Sequence, residues 1–167
     1  LYASIDQCDE SQFFKHLAHS KPNLRILEIG AGLGGSTANA LRFLTPSGRA
    51  LYSSYTFTDI SPGFFVAARD RFGSYPNMEY ATLDISKDPA EQGFDGTYDL
   101  ILATNVIHTT PFLDESLKNV RKLLAPNGRF LLHELAPSST SKWVNYIWGT
   151  LAGWWHGEAD GRVDEPY

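Results

Sequence analysis

A short apolar run, Leu24 to Ile29, breaks directly into Gly30-Ala31-Gly32-Leu33-Gly34-Gly35, and a helix-forming stretch from Ser36 to Leu44 follows. Such a short apolar run ending in glycines reads as a buried strand feeding a turn. A strand that feeds a helix through a tight turn then needs a parallel partner, reached by a right-handed crossover. The rest of the chain repeats this alternation. Tyr55 to Asp59 mixes aromatic and β-branched residues as a second strand, and Ser61 with Pro62 offers an N-cap and a first-turn proline for a helix to about Arg71. Met78 to Thr82 is a weaker third strand and Tyr98 to Asn105 a strong fourth. Thr110 and Pro111 repeat the cap signal, with Leu113, Leu117, Val120 and Leu124 as the apolar stripe of the next helix. Pro126, Asn127 and Gly128 turn the chain into a fifth strand, Arg129 to Glu134. Ahead of the first strand, a helix from about Glu10 to His19 carries Phe13, Phe14, Leu17 and Ala18 on one side. The predicted fold is α/β, a doubly wound, mostly parallel sheet with helices on both faces.

The chain has 167 residues, 43% of them apolar, which suits a single domain with its own core. Its net charge of −5, without a Lys/Arg cluster, provides no footprint for nucleic acid. The lone cysteine, Cys8, excludes an intrachain disulfide, and no basic and apolar leader follows Leu1, so a cytoplasmic location is expected. The most apolar late segment, Trp143 to Trp155, has 13 residues and contains Asn145, Gly149 and Gly153, too short and too interrupted to span a membrane. A start without methionine and an end without a polar tail suggest one domain excised from a longer, multidomain chain and truncated at both ends.

In a doubly wound sheet, ligands sit beyond the carboxyl ends of the strands. The first strand end reads as G-x-G-x-G or G-x-G-x-x-G, and four glycines in six residues exceed what a plain turn requires. The cofactor is decided by charge. Glu28 precedes the first glycine by two residues, and Asp59 and Asp84 close strands two and three, so three carboxylates are expected to face one crevice. A dinucleotide pyrophosphate would meet like charge there, whereas a cationic sulfonium nucleoside with an ammonium group suits it, favouring S-adenosylmethionine over NAD. The candidate cofactor residues are Glu28, Gly30, Gly32, Gly34, Asp59, Asp84 and Asn105. Asp59 would accept from the ribose hydroxyls and Asp84 from the adenine amino group, while Asn105 and the loop backbone hold the methionine end. Taken singly, Asp59 could cap a helix, Asp84 could form an Asx-turn and Glu28 could be a solvated edge.

Competing motifs are absent. No Tyr-x-x-x-Lys suggests a short-chain reductase, and Asn105-Val106-Ile107-His108 stands where an Asn-Pro-Pro-aromatic motif would indicate methylation of DNA bases. His16 and His19 lack a third ligand for zinc, so no metal site is expected. His108 and Glu134, at the rims of strands four and five, remain as candidate catalytic residues. Neighbouring strands bring such side chains together, and a histidine base with a carboxylate on its other nitrogen is a workable proton acceptor. The alternative is a loop histidine and a turn-capping glutamate.

The segments LEIGAGLGGST, YTFTDIS, LDISKDPAEQGF, YDLILATNVIHTT, VRKLLAPNGRFLLHE and GTLAGWWHGEADGR together resemble the C-methyltransferase domain of fungal highly reducing polyketide synthases and their peptide-synthetase hybrids. The first is generic to the Rossmann-like class I methyltransferases, and the QGF segment, NVIH with its threonines and the late GWW with Gly161-Arg162 are more specific. The resemblance implies that His108 and Glu134 form a catalytic dyad. It also implies a β-ketoacyl thioester substrate on an acyl carrier protein, methylated at the carbon between its carbonyls, and the other synthase domains as partners. Trp154 and Trp155 match the family's tryptophan pair, as a wall of the acyl pocket, a lid buttress or core aromatics. The complete family domain has a helical subdomain ahead of this core and further strands after it. The alternatives are O- or N-methylation of a small molecule and a non-catalytic scaffold domain, the latter disfavoured by the intact glycines and carboxylates.

Overall fold

A computed structural model of the chain describes residues 9–134 and 148–162. Cys8 and residues 143–147 of the late apolar segment lie outside the described residues. The order is α1 (Ser11–Ser20), β1 (Leu24–Ile29), α2 (Gly35–Leu44), β2 (Tyr52–Asp59), α3 (Phe65–Phe72), β3 (Met78–Thr82), β4 (Tyr98–Thr104), α4 (Leu113–Leu123) and β5 (Leu124–His133). Short 3₁₀ stretches across Ala152–Asp160, broken at Trp155, follow. The strands form one sheet in the order β3-β2-β1-β4-β5, and every pair is parallel. This is the doubly wound arrangement expected.

The strand period of two divides the core. Leu24 and Ile26 of β1 face Phe14 and Leu17 of α1, Leu41 and Leu44 of α2, and Phe72 of α3. Leu27 and Ile29 face the other way, onto Val120 and Leu123 of α4 and onto Leu83 and Ile85 after β3. All four β1 side chains are almost fully buried, as a central strand covered on both faces requires. No described helix is long and apolar enough to cross a membrane.

Four local expectations are corrected. Ser61 does not cap a helix: its N–H donates to Asp59 Oδ1 at 2.9 Å, and Pro62–Phe64 forms a 3₁₀ turn before α3. A carboxylate two residues upstream closes the turn in its place. Thr110 does not cap α4 either, because its hydroxyl donates to Ile107 O at 2.7 Å and the helix starts at Leu113. On α4 the buried side is Ser116, Asn119, Val120 and Leu123, while Leu117 is 42% exposed. Asn119 turns inward because its amide donates to Ile85 O and Lys87 O, both at 3.0 Å. Finally, β5 starts at Leu124, earlier than Arg129, and the pairing shifts between Tyr98↔Leu124 and Leu100↔Arg129. The predicted Pro126-Gly128 turn is thus an irregularity inside the strand.

Candidate active site

The strand order reverses between β1 and β4, and at their carboxyl ends a cleft of about 350 Å³ opens. Gly30, Asp59, Asp84, Val106, Thr109 and His156 are among its walls.

The glycine loop is fixed by what it touches. Gly30, Gly32 and Gly34 have φ of +63°, +52° and +75°, whereas Gly35 begins α2 with open space around it. The working spacing is therefore G-x-G-x-G. A Cβ on Gly30 would stand 2.4 Å from Val106 Cγ2, so this glycine lets the loop abut the chain leaving β4. The Gly32 N–H donates to Asp59 Oδ2 at 2.9 Å, so Asp59 ties the loop to β2. Each Asp59 oxygen accepts one backbone N–H and keeps acceptor capacity at the cleft wall.

Asp84 lines the cleft and also forms the Asx-turn that was the alternative reading of it. Its Oδ1 accepts from the Ser86 N–H at 3.1 Å and hydroxyl at 2.6 Å, and Oδ2 lies 2.9 Å from Lys87 Nζ. Burial pushes the Asp84 carboxyl up, but the bonds from Ser86 and Lys87 outweigh it and hold the group below the usual carboxylate range. Gln92, in the QGF segment, accepts from Asp84 N–H at 2.8 Å and donates to Asp84 O at 2.9 Å, fixing this loop's backbone.

Glu28 is a correction. It shares the β1 face of Leu24 and Ile26, so its side chain turns under the glycine loop toward α2, away from the crevice. Its Oε2 accepts the hydroxyls of Thr37 and Tyr55, both at 2.6 Å, and the residue is 2% exposed. Of the three expected carboxylates, Asp59 and Asp84 line the cleft and Glu28 does not. Burial pushes the Glu28 carboxyl up to about 7, against the lowering effect of the two hydroxyls. Between about pH 4.5 and 7 the folded chain holds a proton that the unfolded chain releases, so this group's contribution to stability falls as pH rises. The stability gap between wild type and Glu28→Gln should shift against wild type by about 3 kcal/mol from pH 4.5 to 8. Denaturant unfolding of both proteins across that range checks it, and a gap independent of pH would contradict it.

The chain leaves β4 through Asn105, at φ +54°, whose N–H donates to His133 O at 2.8 Å. A 3₁₀ turn, Ile107–Thr109, follows. Glu134, just past β5, receives its amide end: Oε1 accepts from the N–H groups of Val106 at 3.1 Å, Ile107 at 2.8 Å and His108 at 3.4 Å. Its Oε2 lies 2.5 Å from His108 Nδ1. A carboxylate oxygen only accepts, so the Nδ1–H donates in this contact, which in the neutral imidazole leaves Nε2 as the acceptor nitrogen. The expected pair therefore meets, with the carboxylate anchored by backbone amides as well as by the histidine ring.

His108 is buried, its ring edge-on to Trp154 at 5.5 Å between centroids, and Trp154 in turn stacks on Trp148 at 6.3 Å. Thr109 and Thr110, immediately after His108, line the cleft. Trp155 turns elsewhere, its Nε1 donating to Gly149 O at 2.8 Å. The tryptophan pair therefore divides, one ring covering the histidine and the other bracing its own segment.

Thr37, Tyr55 and His156 have no role assigned by the sequence, and Arg162 is marked there only as part of the late family segment. Strand alternation in β1 was the available signal for the first two, since it turns Glu28 inward where it needs donors.

Residues 27–130 match the family described as a methyltransferase domain. The chain is 54% identical over 169 residues to the highly reducing polyketide synthase pspA of Penicillium soppii, a match covering 100% of this chain and 7% of that protein. It is 56% identical over 155 residues to the methyltransferase calH of Penicillium decumbens, covering 92% of this chain and 42% of that one. The crystal structure of trans-methyltransferase CalH in complex with SAH superposes with a TM-score of 0.89 at 53% identity, covering 93% of this chain and 44% of that one. The CMeT domain of the citrinin polyketide synthase superposes with a TM-score of 0.78 at 38% identity, covering 87% and 38%. The chain thus spans a small part of the synthase and less than half of the others.

Proposed function

This chain belongs to the methyltransferase-domain family, and from that membership we propose that it is the carbon-methylating domain of a larger polyketide synthase. Its substrate is a β-ketoacyl thioester carried on an acyl carrier protein, methylated at the α-carbon between the two carbonyls. The cofactor is S-adenosylmethionine. The residues fit that group: the glycine loop has left-handed turns at three positions and no wall atom close to Gly32, and Asp59 and Asp84 bring two carboxylates to one cleft. Asp59 would take the ribose hydroxyls and Asp84 the adenine amino group, with the backbone of Gly30, Gly32 and Gly34 and the Asn105 region at the methionine end. Glu28 supports the loop from below. When bound, the cofactor supplies a methyl group on a positively charged sulfur.

His108 acts on the acyl chain. The α-carbon proton is acidic because the carbanion delocalises over both carbonyls, so Nε2 can remove it without a metal. Glu134 holds the Nδ1–H tautomer and stabilises the imidazolium that forms. Trp154 covers the ring, which limits exchange of that proton with bulk water. The observation that carries the reading is the double engagement of Glu134, with one oxygen on the turn's amides and the other on the histidine.

In the full-length protein, His108→Ala should lower kcat on a carrier-bound β-ketoacyl substrate by about 10²- to 10⁴-fold while leaving SAH affinity nearly unchanged. Full activity in that variant would remove the base. Locating an isotope-labelled methyl by NMR separates the reaction classes: attachment to carbon supports the reading, and attachment to oxygen or nitrogen overturns it.

A further inference from the structure

The turn that carries His108 has two ends, and Glu134 holds only the amide end. At the carbonyl end stands Arg162, 54 residues away in sequence. Its Nη1 donates to His108 O at 2.8 Å, and its Nη2 donates to Thr110 O at 2.6 Å and lies 3.4 Å from Pro111 O. The side chain is 11% exposed. Nε lies 3.4 Å from Asp160 Oδ2, and the same oxygen accepts the Leu113 N–H at 3.1 Å, which couples the clasp to the start of α4. Space for the guanidinium exists because residue 157 is glycine: a Cβ there would stand 2.5 Å from Arg162 Cζ. Two neighbouring carbonyls are taken locally, Val106 O by the Thr109 hydroxyl and Ile107 O by that of Thr110, both at 2.7 Å.

We propose that Arg162 is a positioning residue for the reaction, fixing the backbone of His108 from the carbonyl end as Glu134 fixes it from the amide end. This rests on His108 being the base. A guanidinium suits the task because its planar fork reaches two carbonyls at fixed spacing, which an ammonium cannot do. Its effect falls chiefly on the base, because it holds the carbonyl of His108 itself, whereas Gly32, Asp59 and Asp84 are held by their own bonds; Thr110 and Pro111, whose carbonyls it also engages, line the cleft. The late segment that supplies it also supplies Trp154, so a single stretch of chain both covers the histidine and clamps its turn. A purely structural role, stapling this segment to the domain, would lower stability without a selective loss of turnover.

The test compares Arg162→Ala, Arg162→Lys, Gly157→Ala and His108→Ala in the full-length protein, measuring kcat and KM on a carrier-bound β-ketoacyl substrate and the SAH dissociation constant by calorimetry. Arg162→Ala should lower kcat by about a hundredfold, as for a reacting group displaced by roughly 1 Å, with KM and SAH affinity within about twofold of wild type. Arg162→Lys should recover little of the loss. Gly157→Ala keeps the guanidinium but displaces it, so it should lose kcat in the same selective way, and it carries the test if Arg162→Ala fails to fold. Wild-type turnover in Arg162→Ala or Gly157→Ala while His108→Ala is inactive would overturn the clamp alone. A loss of kcat matched by an equal loss of SAH affinity would also overturn it. Activity retained in His108→Ala would instead overturn the base on which the clamp rests.

Discussion

Exchanging Glu134 for glutamine should lower kcat by about a thousandfold with the fold and SAH affinity preserved. Glutamine has the same length, so its amide oxygen can still accept the N–H groups of Val106, Ile107 and His108 that Oε1 accepts. Its NH₂ group then faces His108 Nδ1, where a carboxylate oxygen stood at 2.5 Å. A donor in that place favours the tautomer with the lone pair on Nδ1 and the proton on Nε2, so the nitrogen that should remove the substrate proton already carries one. The negative charge that stabilises the imidazolium is lost as well. Steady-state turnover on a carrier-bound β-ketoacyl thioester measures the effect, and retention of more than about a tenth of wild-type kcat would contradict the orienting role.

Replacing Gly30 by alanine should destabilise the fold by about 3 kcal/mol. Two costs combine. An alanine at φ +63° pays the left-handed penalty of about 1–2 kcal/mol, and its Cβ meets Val106 Cγ2 at 2.4 Å and Cγ1 at 2.8 Å. Val106 cannot retreat freely, since its N–H donates to Glu134 and it opens the turn that bears His108. Activity should therefore fall together with stability. Combining Gly30→Ala with Val106→Ala relieves the contacts to both Cγ atoms and should return roughly half of the lost stability, leaving the backbone cost. Denaturant midpoints of the two single variants and the double variant test this. Additivity across the cycle would show that the two residues do not meet.

The strands were legible because a parallel sheet buried on both faces leaves an apolar run with sharp ends. β1 and β3 lie where the residues place them, and β4 is one residue shorter only because Asn105 adopts the left-handed conformation. Helix starts were less legible. Ser61 and Thr110 have the residue type of caps, but Asp59 closes the first turn and the Thr110 hydroxyl bonds back to Ile107 O. Cap chemistry is local in kind, yet which of several nearby acceptors wins depends on backbone geometry set by the sheet. On α4, Asn119 is buried where Leu117 is not, because two carbonyls from the segment after β3 wait for its amide.

By itself the sequence determined the alternation of strand and helix, the glycine turn at the first strand end and the residues that stand at each later strand end. Those follow from periodicity and from backbone freedom, which act over a few neighbouring residues. Only the tertiary structure decided what each of those side chains meets. It turned Glu28 down onto Thr37 and Tyr55, left Asp59 and Asp84 on the cleft, and closed Glu134 and Arg162 on opposite ends of the His108 turn. The physical reason is that a buried polar group takes whichever partner completes its hydrogen bonds, and here those partners come from elements far apart in the chain.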